Sequence, residues 1–309
     1  MLHLQELLLS GGFSVTGRGN PIVTGIAPAG LAAEDEIAIA YKQKEIEATS
    51  ATVVLAELTL RRVAGKLLLF PDKSVSEAAV DLAKMFIKLG VYRDYNEPVE
   101  YTMDSFELNR WGKNCSIAAS TRIDGFVTIG DNVIIGENCH IGENVSVGSD
   151  VVIGNEVVLK PGSRIGTPPF YQYGRGCFND FAGIGTVIIG DRVSIGTNTV
   201  IQRGTFTNTV IGSDVAIGDL VVVGHDVTIG DNCLIVTQSG LAGGADLADK
   251  VRVFGQCGIN ERVHIGEGTT ILAKAAVWKN IPAGRTVSGP YGWEHRKELQ
   301  LRGKIKKMM

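Results

Sequence analysis

The sequence predicts a mainly β protein: a left-handed parallel β-helix of hexapeptide repeats, with a small N-terminal α/β domain and a short C-terminal helix. Three observations carry this reading. Counting in sixes from Ile211 reaches Ile217, Val223, Ile229, Ile235, Leu241, Leu247, Val253, Ile259, Ile265, Ile271 and Val277, twelve aliphatic hexads without a slip. A helical face repeats at about 3.6 residues and a single strand at 2, so a strict six fits neither; it fits a solenoid. A small residue often follows the aliphatic one, as at Gly212, Gly218, Gly224, Gly230 and Gly266. Three hexads then close one triangular coil, with Gly, Asn and Asp taking the unusual backbone angles of the corners. Composition agrees: 39 glycines and only 6% aromatics suit aliphatic rungs rather than a large aromatic core.

Taken in order, residues 1–99 show no six-fold period and form the α/β domain. His3 to Leu9 reads as helix, broken by Gly11-Gly12; Ile37 to Ile39, Ala51 to Leu55 and Leu67 to Phe70 read as strands. A charged segment, Tyr41 to Glu47, separates the first two of these. Ser74 to Leu89 reads as a helix with Ser74 or Ser76 as N-cap, Glu77 in the first turn and Gly90 as its stop. Residues 100–116 are a connector. The solenoid occupies 117–280: hexads run from Ile117 to Ile165, break for a loop at 166–187, resume at Ile189, slip by four residues around Arg203 to Asn208, and then continue from Ile211. That makes eight coils. The loop carries Pro168, Pro169, Phe170, Tyr171, Tyr173, Phe178 and Phe181, and its aromatics argue for a functional loop rather than disorder. Residues 281–309 are a helical basic tail: Pro282 stops the prism, and Trp293 to Leu301 reads as a helix followed by Arg302, Lys304, Lys306 and Lys307.

The net charge of −3 gives no bulk attraction to nucleic acid or membranes. No apolar run approaches the roughly 18 residues of a membrane span, and no secretory leader stands at the start, so a cytoplasmic location is expected. The five cysteines are odd in number and lack CxxC spacing, and four of them (Cys115, Cys139, Cys233 and Cys257) lie in or beside repeats. They read as reduced, small apolar fillers.

A prism leaves few places for chemistry, and sites of this class form in grooves between packed prisms. His225, in GDLVVVGHDVTIG, stands two residues after the inward Val223, where its ring should leave the prism near a corner. An imidazole ordinarily titrates near about 6.5 and can take a proton from an attacking amine or hydroxyl. His140 and His264 directly precede inward residues and should point outward. Gly243 lies one coil beyond His225, where its N–H could face the oxyanion of an acyl-transfer intermediate. No metal cluster, phosphate loop or Ser/His/Asp set is visible, and no Gly-rich string opens a long helix as a dinucleotide fold requires.

These residues resemble the UDP-3-O-acylglucosamine N-acyltransferases of lipid A synthesis, over nearly the whole chain. LQELLLSGGFSVTG, AYKQKEIEATSATVVL and the helix after Ser74 look like that family's uridine-binding domain; GIGTVIIGDRVSIGTNTVIQRGT resembles its solenoid midpoint; SGPYGWEHRKEL is similar to its closing motif, with His295 and Arg296 on matching positions. The resemblance implies a homotrimer with active sites between prisms, His225 as general base and Gly243 as the oxyanion glycine. It implies an acyl donor carried on phosphopantetheine, by an acyl carrier protein or coenzyme A, and a UDP-amino sugar as acceptor. Tyr41, beside Lys42, falls on the tyrosine that stacks uracil. Arg302, Lys304, Lys306 and Lys307 would dock the acidic carrier protein.

The departures point to a sister enzyme with an altered sugar or acyl group. DEIAIAY, before Tyr41, is about three residues short and lacks the second aromatic of the uracil site. Asp219 and Asp226 stand where the family usually has asparagines beside the sugar, Arg262 replaces a second histidine, and the aromatic loop is shortened. Two other readings are an acetyl-CoA-dependent N- or O-acetyltransferase of another nucleotide sugar and a non-catalytic scaffold. The sequence shows neither the outward threonine ladders nor the histidine rows that ice or metal binding would need.

Overall fold

A computed structural model describes residues 2–4, 13–16, 20–57, 60–61, 63–92, 102–103, 108–173, 179–289 and 292–308. The chain divides into two compact units, Met1–Asn96 with Tyr171–Ile184, and Glu97–Phe170 with Gly185–Met309.

The first unit is a five-stranded sheet. Gly25–Pro28, Glu36–Ile39, Val53–Leu55 and Leu67–Pro71 run parallel, and Phe13–Thr16 closes the far edge antiparallel to Leu67–Pro71. The central strands are apolar on both faces, as parallel strands covered on two sides should be: Ile37, Ala38, Val53, Val54, Leu55, Leu68 and Leu69 are buried. The charged segment after Tyr41 forms a short helix, α1 (Gln43–Ala48). Helix α2 (Val75–Lys88) is capped by a reciprocal pair, in which Glu77 N–H donates to Ser74 Oγ (3.2 Å) and Ser74 N–H to Glu77 Oε2 (3.1 Å). It ends before Gly90, whose φ is +72°. At the N-terminus, Leu2–His3 is a strand paired with Ile22–Val23. Most of the helix read over His3 to Leu9 lies outside the described residues, as do Gly11 and Gly12. The aromatic loop contributes a hairpin, Gln172–Tyr173 against Asn179–Asp180. Lys84 Nζ reaches the Tyr173 hydroxyl at 2.5 Å and sits 5.1 Å from its ring centre, which ties the hairpin to α2.

The second unit is the left-handed β-helix. Among the described residues its three faces are one eight-stranded and two ten-stranded sheets, and the strands of successive coils pair in parallel, with a register shift between Ile165 and Thr167. On one face Val223 pairs with Leu241, Leu241 with Ile259 and Ile259 with Val277. All the inward residues counted by sixes from Ile129 are buried in a single continuous core. Each fully buried aliphatic side chain contributes roughly 1.5–3 kcal/mol. The structure adds a second inward position two residues earlier, occupied by Val215, Val221, Val227, Cys233, Ala245, Val251 and Cys257 among others. It must be small because it points into a corner of the triangle. Cys139, Cys233 and Cys257 are thus buried free thiols; Cys177 lies outside the described residues. The residue before it takes left-handed φ in most corners, as at Asn132 (+55°), Asp226 (+57°) and Arg262 (+55°).

The ladder extends beyond the counted hexads at both ends. Arg110–Trp111 already pairs with Thr128–Ile129, with Trp111 in an aliphatic slot. After Val277, Ile281 bridges to Ile265 and Thr286–Ser288 pairs with Thr270–Ile271. Trp293–Glu294 then turns back against Val287–Ser288. The terminal helix α3 (His295–Met308) starts two residues later than Trp293 and runs through the basic tail.

Candidate active site

One corner of the prism stacks His225, Gly243, Glu261 and Lys279 in successive coils, with Asp226, Gly244 and Arg262 beside them. Coils repeat at about 4.8 Å. Gly224 N–H to Leu241 O (2.8 Å), Gly244 N–H to His225 O (2.8 Å) and Arg262 N–H to Gly243 O (3.0 Å) hold this corner rigid.

His225 is mostly buried, its side chain 14% exposed, and its Nδ1 lies 2.7 Å from Asp226 Oδ2. Burial pushes the Asp226 carboxyl up, but hydrogen bonds from His225 and Thr207 outweigh it and hold it below the usual carboxylate range. An ionised carboxylate only accepts, so Nδ1 carries the hydrogen and Nε2 is the basic nitrogen of the ring. The ring packs on Gly243: a β-carbon there would stand 2.6 Å from Nε2. At equivalent corners the side chain one coil on accepts the backbone N–H, as Asp231 does for Ser213 (2.7 Å) and Asp249 for Asp231 (2.9 Å). Glu261, stacked over Gly243, instead leans to Arg262 (3.5 Å). Gly243 N–H therefore donates to no described residue. A basic nitrogen with an ionised partner, next to an uncommitted N–H, is a geometry for deprotonating a nucleophile and holding an oxyanion.

The other sequence-selected residues are distributed more widely. Arg262 is exposed at the same corner, its stem against Gly244. Asp219 belongs to the preceding corner, where its Oδ1 accepts Thr197 N–H at 2.8 Å. Both Asp226 oxygens are engaged by protein, Oδ2 by His225 and Oδ1 by residues 205–207. His140 and His264 point outward from strands and pair with Asp124 (2.8 Å) and Asp246 (2.7 Å). In the first unit Tyr41 is half-buried, its hydroxyl 3.4 Å from Ser76 Oγ, and Lys42 is exposed. Glu45 Oε2 accepts the N–H of both (2.8 and 3.1 Å), closing the start of α1. His295 Nδ1 lies 2.9 Å from Ser288 Oγ, while Arg296 lines a cavity described below. Arg302, Lys304, Lys306 and Lys307 are all exposed on α3; Arg302 also pairs with the buried Glu298 at 2.8 Å.

Sequence reasoning did not find that cavity, of about 940 Å³, at the C-terminal end of the solenoid. Trp278, Lys279, Arg285, Trp293, Arg296 and Lys297 line it. Trp278 and Lys279 stand on the corner of His225, three coils further on. Their signal was present, since both follow the inward Val277, but the hexad count had ended there.

Comparison with known proteins finds hexapeptide-repeat transferases. The bacterial transferase hexapeptide model (six repeats) matches residues 132–167 and 208–243, the second stretch running from before His225 to Gly243. A UDP-3-O-acylglucosamine N-acyltransferase of Campylobacter curvus is 38% identical over 107 residues, 35% of this chain and 34% of the relative. One of Methylorubrum populi is 36% identical over 132 residues, 42% of this chain and 38% of the relative. The matched part thus spans little more than a third of those relatives' length. A Francisella novicida UDP-N-acetylglucosamine acyltransferase structure superposes with a TM-score of 0.50 at 28% identity, covering 61% of this chain and 72% of that one. The family whose residues this sequence resembles is the one these curated relatives are named for.

Proposed function

We propose that this hexapeptide-repeat chain, similar to the UDP-3-O-acylglucosamine N-acyltransferases, moves an acyl group from a phosphopantetheine thioester to the amine of a UDP-amino sugar. The observation that carries the proposal is the His225–Asp226 pair set against Gly243. The amine nitrogen attacks the thioester carbonyl while its proton passes to His225 Nε2. The carbonyl oxygen takes up the negative charge beside Gly243 N–H. Collapse restores the C=O, breaks the C–S bond, and the departing sulfur takes the proton back from the imidazolium. An amide and a free thiol result.

The donor arrives along the His225 corner from the cavity of Trp278 and Arg285, whose cations suit a phosphate. An acyl carrier protein docks on the exposed cations of α3, Arg302, Lys304, Lys306 and Lys307. Tyr41 and Lys42 contact the nucleotide, Arg262 and Asp219 contact the sugar, and Asp226, its oxygens engaged by His225 and residues 205–207, acts through His225. The chain acts as a homotrimer in the cytoplasm. In support of packing between prisms, Leu220 (51% exposed) and Val222 (45%) leave apolar surface on the face leading to His225. Among the described residues no helix is long and apolar enough to cross a membrane.

A hydroxyl acceptor is the second reading. The Francisella relative is named for UDP-N-acetylglucosamine, a sugar whose nitrogen is already acylated. Incubating the protein with acyl-carrier and coenzyme A thioesters of graded length, against UDP-glucosamine derivatives with free or acetylated nitrogen, separates the two. Amide product supports the proposal; ester product from the N-acetylated sugars supports the second; no product with any pair removes both.

A further inference from the structure

We propose that Thr207, in the four-residue slip at 203–208, is a positioning residue for His225, acting through Asp226. This rests on the acyl-transfer reading for its role in turnover, though not for its geometry.

Asp226 Oδ1 receives the N–H of Thr205 (2.9 Å), Phe206 (3.2 Å) and Thr207 (2.9 Å), and the hydroxyl of Thr207 (2.9 Å). Elsewhere a corner aspartate caps the preceding coil with fewer donors, as Asp249 does for Asp231 N–H. The extra residues let the chain fold back so that successive N–H groups converge on one oxygen, a nest for an anion. The insertion is itself clamped. Arg203, 3% exposed, donates from Nε to Gly185 O (2.9 Å) and from Nη2 to Ser149 O (2.9 Å). A β-carbon on Gly185 or Gly204 would overlap Thr207 O, so both glycines are needed for the chain to pass this closely.

With Oδ1 fixed, the carboxylate cannot rotate, and Oδ2 stays aimed at His225 Nδ1. That selects the imidazole tautomer with Nε2 basic. Thr207 contributes the one side-chain donor of the four. Its loss leaves the backbone contacts and loosens the carboxylate.

The test compares Thr207→Val and Thr207→Ser with the wild type. Histidine-selective ¹⁵N spectra of the intact protein read the tautomer of His225, assigned with His225→Gln. The wild type and Thr207→Ser should show Nδ1–H alone, and Thr207→Val a mixture. In steady-state assays Thr207→Val should lower kcat about 10-fold with KM for both substrates unchanged, and Thr207→Ser should restore it. A Thr207→Val protein with a single Nδ1–H tautomer and wild-type kcat overturns the proposal. So does a loss of kcat that serine fails to restore. If the wild type transfers no acyl group, the spectra decide alone: a tautomer loosened by valine and restored by serine sustains the positioning role while the acyl-transfer reading fails.

Discussion

The imidazole of His225 packs so closely on Gly243, one coil further along the solenoid, that a β-carbon there would come within 2.6 Å of Nε2. Gly243 is absent from the residues with positive φ, so alanine fits the backbone and its whole effect falls on the ring. Gly243→Ala should displace the imidazole and lower kcat by about 10² or more, while the melting temperature changes little. A retained kcat would mean that the ring position is unimportant to turnover.

Asp226 connects activity to acid stability. Its folded pKa lies below the ordinary carboxylate value, so its stabilising contribution is present above that value, near about 3.9. The contribution is lost as pH falls through the lower folded value. Asp226→Asn should therefore melt below the wild type at neutral pH, with the gap closing as pH falls from about 4. Thermal melts across pH 2–7 would check it; a gap independent of pH would place the carboxyl outside this linkage.

The corner thiols make a third prediction. Burial pushes the Cys233 thiol up to about 11 and raises that of Cys257 as well. Alkylation of the native protein at about pH 8 should spare both, and unfolding should expose them. Mass mapping of native labelling on Cys233 would contradict the packed second inward position.

Much of the solenoid was legible because one physical requirement, an aliphatic side chain every sixth residue, repeats without regard to anything outside the prism. The ends were harder. Trp111 fills an aliphatic slot, and Ile281 and Val287 continue the core after the spacing has slipped, so a count of hexads stops short. In the first unit three of the sheet's five strands and the Ser74 cap followed from local chemistry, whereas Phe13–Thr16 and Gly25–Pro28 were not read as strands and the six residues of α1 are too few for a periodic signal. At the site, spacing alone placed His225 and Gly243 on one corner. It could not reveal that left-handed φ at Asp226 sets its carboxylate beside the preceding ring. Nor could it show that a slip in the count was a fold-back built around that same carboxylate.

The central claim is that His225 takes the acceptor's proton during acyl transfer. Single-turnover amide formation by the wild type and His225→Ala, each assembled to the same oligomer and saturated with both substrates, tests it most directly. The rate should fall by about 10²–10⁴ in the variant, with substrate affinities retained. A variant that forms amide at the wild-type rate would contradict it.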